Sequence, residues 1–252
     1  MINVITIILI LILCYFVLFN NISENFQIKE PKIIILIISS GNHNEYKQMH
    51  AIWEKYMNTH KNIIAFFIEN DESLNQEVVI DKDKNTIYCK GTESYVPGIL
   101  NKTIKSINYC LQNFDFDYIY RTNLSSVLNL DKLYSYLQNN TVDYAGQHMG
   151  TFISGSGIIL SKEACKKLIV DKSLIDNMEP DDVALGQTLS KFYEMKNIEF
   201  YALANLYDEI FINNNYDNIN PITFQFRCRF ANEHDNTAQV MEKVYNKIYL
   251  DK

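Results

Sequence analysis

Two adjacent carboxylates, Asp181 and Asp182, follow Pro180 where a helical pattern begins. Proline suits a first helical turn or its approach. The helix macrodipole there favours each exposed negative charge by about 0.3–1 kcal/mol. Asp in such a place most often caps free N–H groups. Two in succession leave room for both jobs, one capping and one facing a substrate hydroxyl as general base. Arg227 and Arg229 flank Cys228, an alternation that points both guanidiniums to one face of a strand. Such a pair suits a diphosphate gripped in bidentate fashion, or else two surface salt bridges. Gly155, Ser156 and Gly157 interrupt an apolar segment. That signals a turn, a bulge or a close approach, and a structural turn is the expectation.

Two polar strand ends complete the candidates. The run Arg121-Thr-Asn-Leu-Ser-Ser126 breaks an apolar strand. Ligands of α/β proteins bind where parallel strands end, which brings Arg121, Asn123 and Ser125 to a site by position. Ser39, Ser40 and Gly41 close another apolar run and are small enough to sit close to a nucleotide. His43, His50, His60, His148 and His234 show no metal-ligand spacing and read as surface or satisfied side chains. The chain has no phosphate-binding Walker loop, no GxGxxG after a strand and no GxSxG elbow.

The elements that must carry these residues follow from periodicity. Lys32 to Ile38 reads as a fully buried parallel strand, Ile63 to Ile68 as a second, Thr86 to Cys89 as a third and Tyr118 to Arg121 as the next. Helical spacing predicts helices over Tyr46 to Met57 and Ser94 to Phe114. It predicts further helices over Leu130 to Leu137, Ala164 to Val170 (capped by Ser161), Asp182 to Tyr193 and Ala238 to Tyr249, with a short strand within Ile222 to Phe230. Strands and helices alternating at these lengths indicate a doubly wound α/β sheet.

The 252 residues suffice for one full core, and 47% hydrophobic and 21% charged residues are ordinary for a globular protein. A net charge of −7 argues against nucleic acid as a partner. Five scattered cysteines supply neither a disulfide framework nor paired zinc-ligand spacing. Residues 2–19 are apolar except Asn3 and Thr6, and as a helix they would span about 27 Å, near a hydrocarbon core. They lack the basic start and small-residue cleavage site of a signal peptide, so an anchor at 1–19 fits them better, with a stem at 20–31 and a folded domain at 32–252. Lys29 and Lys32 cast a weak vote for a cytoplasmic domain.

Several blocks, in order, resemble the family 31 glycosyltransferases, the β1,3-galactosyltransferase and Fringe group. His50-Ala-Ile-Trp53 resembles the family's Arg-x-x-Ile-Arg-x-Thr-Trp helix without its arginines, and Glu93-Ser-Tyr95 with Lys102-Thr103 is similar to its Asp-Ser-Tyr…Lys-Thr block. Asp117 to Leu133 aligns on the strand that carries an Asp-Asp-Asp motif, and Phe152 to Ser161 on a Gly-Gly-x-Gly-Tyr-x-x-Ser segment. Pro180-Asp-Asp-Val183 with Gly186 resembles the Glu-Asp-Val…Gly block of the galactosyltransferases and the Pro-Asp-Asp of Fringe.

The resemblance implies a GT-A fold: a doubly wound mixed sheet with helices on both faces, behind an N-terminal transmembrane helix. It implies inverting transfer from a nucleotide-sugar donor, UDP-linked by expectation, to a hydroxyl of a glycan, protein or lipid acceptor. It also implies a single-pass type II placement with the domain luminal, against the weak vote of the lysines. By position Asp182 falls on the catalytic base, with Asp181 beside it. The donor would meet Ser39, Ser40, Arg121, Asn123, Ser125, Gly155, Ser156, Gly157, Arg227 and Arg229. The three metal-motif aspartates fall on Asn123, Leu124 and Ser125. Neutral oxygens and a leucine are poor ligands for the Mn²⁺ or Mg²⁺ a carboxylate set would take. No cofactor is therefore certain: Mn²⁺ or Mg²⁺ stays open, with weak or no metal dependence expected and Arg121, Arg227 and Arg229 as substitute positive charge. The alternative is a catalytically inactive protein of the same fold that binds a glycan or nucleotide.

Overall fold

The computed structural model describes residues 30–41, 44–202, 223–229 and 235–251, with the side chains of residues 44, 45, 201, 202, 235 and 236 left aside. The expected anchor at 1–19, the stem up to residue 29, His43, His234 and the segment Asn205 to Asn220 (expected to shape specificity) lie outside the described residues. Among the described residues no helix is long and apolar enough to cross a membrane.

In chain order the strands are β1 Ile33–Ile38, β2 Ile63–Asp71, β3 Val78–Asp81, β4 Thr86–Lys90, β5 Tyr118–Asn123, β6 Ser126–Leu128, β7 Tyr144–His148, β8 Ile153–Ser161, β9 Met195–Asn197, β10 Tyr201–Ala202 and β11 Gln225–Arg227. The helices are α1 Asn44–Glu54, α2 Gly98–Asn113, α3 Leu130–Asn139, α4 Lys162–Val170, α5 Asp181–Leu189 and α6 Asp235–Tyr249. Eight strands form one mixed sheet in the order β3-β4-β2-β1-β5-β8-β7-β9, and β10-β11-β6 form a small second sheet.

β1 sits inside the large sheet, parallel to β2 on one side and β5 on the other. All six of its residues are Ile or Leu and all are buried, as a strand covered on both faces requires. Alternation then assigns the faces. Ile33, Ile35 and Ile37 pack with Met49, Ile52 and Trp53 of α1 and with Met241, Val244 and Ile248 of α6. Ile34, Leu36 and Ile38 pack with α2 through Leu100 and Ile107, with α4 through Cys165 and Leu168, and with α5 through Ala184 and Leu185. Helices thus cover both faces, and the mixed α/β expectation holds. Cys89, Cys110, Cys165 and Cys228 are all buried and free.

Several local expectations change. The helix foreseen from Ser94 starts at Gly98, because Val96 precedes Pro97 and such a residue is driven out of the helical region. The Ser94 hydroxyl accepts the Gly98 N–H at 3.0 Å instead. The helix foreseen to Tyr193 ends at Leu189. Ser161 does cap α4, accepting the Ala164 N–H at 3.1 Å. The turn foreseen at Gly155 to Gly157 is absent, since both glycines lie inside β8, whose register with β7 shifts between Ile153 and Ile158. A bulge-like irregularity and close approach, the other meanings of a strand glycine, are what they serve.

Candidate functional site

β1 and β5 are parallel and in register, Ile38 opposite Asn123, so both end at one edge of the sheet. β8 runs antiparallel to β5 and starts at that edge, Gly157 opposite Thr122. A cleft of about 460 Å³ opens there. Every expected site residue lines it except Gly157: Ser39, Ser40, Arg121, Asn123, Ser125, Gly155, Ser156, Asp181, Asp182, Arg227 and Arg229. Tyr46, Glu93, Tyr95, Ser154 and Thr237 join them, residues that no local sequence signal brought to the site.

The two carboxylates separate into different environments. Asp181 is buried and ion-paired with the Arg121 guanidinium, itself only 2% exposed. Burial pushes the Asp181 carboxyl up, and the Arg121 charge opposes that rise. Asp182 is partly exposed. One of its oxygens, Oδ2, accepts the Gly155 N–H at 2.9 Å, and Oδ1 accepts the Val183 N–H at 3.0 Å. Each carboxylate oxygen has two acceptor positions, so both retain one for a further donor.

Glycines make this arrangement possible. A Cβ on Gly155 would stand 2.9 Å from Arg121 Nη1 and 3.0 Å from Asp182 Oδ2. A Cβ on Gly186 would overlap Phe152, which heads β8, so that glycine lets α5 lie against the strand. The Pro180 carbonyl closes the first turn of α5 by accepting the Ala184 N–H at 2.9 Å. On the other side, a Cβ on Gly157 would overlap Gln225 and the Tyr120 hydroxyl. Tyr120 donates to Gln225 Oε1, and Gln225 Nε2 donates to the Ser156 carbonyl at 2.6 Å and to Ser126 Oγ at 3.3 Å. This buried network ties β11 to β5, β6 and β8, and so delivers Arg227 to the cleft.

The site is rich in guanidinium. Arg121 Nε and Nη1 and Arg227 Nη1 are buried without a hydrogen-bond partner among the described residues. Burial, then the neighbouring charges of Arg229 and Arg121, weaken the hold of Arg227 on its proton, though a guanidinium stays charged at physiological pH. β11 ends at Arg227, so Arg229 lies beyond the strand; both arginines still reach the cleft.

Ser39 is tied into a polar cluster. Its hydroxyl donates to Glu69 at 2.8 Å and accepts from His50 Nε2. The Ser39 carbonyl accepts from Lys102, a fully buried ammonium paired with Glu93. Desolvation lowers the Lys102 pKa. The blocks around His50 and Lys102 thus brace the end of β1, and Trp53 donates to the Leu124 carbonyl at 2.8 Å.

The residues at the aligned metal motif do not fit a hard divalent cation. Asn123 and Ser125 are neutral, the Leu124 side chain is buried in the core, and Asp181 and Glu93 are engaged by Arg121 and Lys102. Among the described residues no group of three His, Cys, Asp or Glu could hold a metal. The guanidiniums of Arg121, Arg227 and Arg229 line the same cleft.

No family model and no curated protein sequence matches the chain. Solved structures that partly overlap this one include the glycosyltransferase GlyE of Streptococcus pneumoniae TIGR4, at 10% identity and a TM-score of 0.46, covering 87% of this chain and 63% of that one. They also include the galactosyltransferase LgtC with donor and acceptor sugar analogues, at 9% identity and a TM-score of 0.47, covering 85% and 95% of the two chains. An active-site mutant of LgtC overlaps at 9% identity and a TM-score of 0.45, over 84% and 94%. The chain spans less than two thirds of the length of GlyE. At such identity and overlap the likeness carries no argument, and the chemistry has to be read from the cleft of this protein.

Proposed function

We propose that this protein is a membrane-anchored glycosyltransferase that moves a sugar from a UDP-linked donor to an acceptor hydroxyl with inversion, with weak or no dependence on a divalent metal. The observation that carries the reading is the Asp182 carboxylate. It is fixed by two backbone N–H groups, with acceptor capacity left over, in the same cleft as Arg227 and Arg229. In the reaction proposed, the acceptor oxygen attacks the anomeric carbon and its proton passes to Asp182. The bond from that carbon to the donor diphosphate breaks, and the diphosphate leaves with the electron pair. Arg227 and Arg229 meet the charge that develops on it. Asp181 holds Arg121 and is a positioning residue, since its carboxylate is buried in that pair. Anchoring through residues 1–19, the type II luminal placement and a glycan, protein or lipid acceptor belong to the same proposal.

A thermal-shift screen of the full chain against nucleotide sugars tests this. Ligand that binds the folded state raises the midpoint by mass action, and the rise is expected from a UDP-sugar equally with and without Mn²⁺. A shift that appears only with Mn²⁺ contradicts the metal-free reading, and no shift with any nucleotide sugar contradicts the donor class. The neutral Asn123, Leu124 and Ser125 keep a second reading in play, a binding protein without catalysis. It differs by showing donor binding with neither transfer nor donor hydrolysis.

A further inference from the structure

Thr237 stands in the first turn of α6, lines the cleft and is 1% exposed, yet its hydroxyl has no hydrogen-bond partner among the described residues. A buried hydroxyl without a partner destabilises the fold. Within a helix a threonine ordinarily escapes this by donating to the carbonyl four residues back. Thr188 in α5 does so, to Ala184 at 2.9 Å, but Thr237 has no carbonyl of its own helix below it. Arg227, on the neighbouring strand, repeats the pattern with a buried Nη1 that lacks a partner. The charges of Arg227 and Arg229 also oppose one another.

An anion resolves all of this at once. It accepts from the hydroxyl and from the unpaired guanidinium nitrogen, and it relieves the repulsion between the two arginines. The first-turn N–H groups of a helix, which have no partner within the helix, favour the same charge. Two guanidinium forks can each grip one phosphoryl group. We propose that Thr237 is a direct ligand of a diphosphate held between Arg227 and Arg229 at the start of α6. The identity of the diphosphate as part of a nucleotide sugar rests on the function proposed above. The anion subsite itself stands on the unpaired groups.

Calorimetric titration of the full chain with inorganic pyrophosphate, without divalent metal, tests the assignment. The wild-type protein is expected to bind, Thr237→Val to bind about ten-fold more weakly or worse, and Thr237→Ser to bind like wild type. Without ligand, Thr237→Val is expected to melt at or above the wild-type midpoint, because it removes a hydroxyl that nothing satisfies. Equal affinity in Thr237→Val, a lowered unliganded midpoint, or no pyrophosphate binding by wild type would overturn the inference. The two readings fail separately. Pyrophosphate binding that depends on Thr237, with no nucleotide sugar bound, sinks the donor class and keeps the subsite. Nucleotide-sugar binding that ignores Thr237→Val does the reverse.

Discussion

The Asp182 carboxylate accepts the backbone N–H of Gly155 at 2.9 Å, which locks the first turn of α5 against the start of β8. The side chain best placed to take a proton is thereby held by rigid elements on both sides. The same glycine leaves room for Arg121, whose guanidinium lies against the strand and pairs with Asp181.

Gly155→Ala tests the close approach. The added methyl meets Arg121 Nη1 and Asp182 Oδ2 at about van der Waals overlap, and relief requires both side chains to move. Overpacking of this kind costs about 1–3 kcal/mol. A displacement of ~1 Å at the base reduces turnover about 100-fold. Urea unfolding and donor-turnover assays check the two effects, and a variant with normal turnover would show that the position of Asp182 is unimportant.

The Arg121–Asp181 pair is a structural bond with its charges out of water. Arg121→Met leaves a buried carboxylate uncompensated, and a loss of about 3–5 kcal/mol is expected. Adding Asp181→Leu removes the stranded charge and is expected to restore most of that loss. Chemical denaturation of both variants measures this. If the single variant is as stable as wild type, the pair does not hold the cleft together.

Glu69 supplies a dependence on pH. Burial would raise its carboxyl, but hydrogen bonds from His50 and Ser39 and the charges of His50 and Lys102 hold it below the ordinary value of 4.5. A carboxyl depressed in the folded state contributes stability above its unfolded pKa and loses it as pH falls through the folded value. Glu69→Gln is therefore expected to be less stable than wild type at pH 7, by about 1 kcal/mol. The gap should close as pH drops below about 4.5. Denaturation midpoints across that range decide it, and a gap that stays constant removes the titration from the account.

Much of the fold was legible from periodicity alone. The all-apolar β1 and the spacing of Met49, Ile52 and Trp53 in α1 announce a covered parallel sheet, since burial on both faces leaves no alternative to that pattern. The three-residue β6 and β9 and the β3 hairpin arm carry no such signal, because tertiary pairing and not local preference makes them strands. At the site, strand ends and the helix start brought nearly every candidate to one cleft. Local sequence could not separate Asp181 from Asp182, which differ only through what lies across from them: Arg121 for one, Gly155 for the other. Thr237 and the His50–Ser39–Glu69 cluster were equally invisible, as each depends on contacts between distant elements.

Metal removal separates this cleft from one built on carboxylates. Turnover is expected to be unchanged by EDTA and to gain nothing from Mn²⁺, while Arg227→Ala lowers it about 100-fold through lost charge on the leaving diphosphate. Abolition of turnover by EDTA would place a metal where Asn123 and Ser125 stand.

In the proposed reaction Asp182 removes the acceptor proton. Turnover of wild type and Asp182→Asn, measured as UDP release and sugar transfer with a UDP-sugar that binds, tests it most directly. Asn retains an oxygen for the Gly155 N–H and loses the basicity, so turnover is expected to fall about 100- to 10,000-fold with donor affinity unchanged. Turnover within a few-fold of wild type would contradict the account.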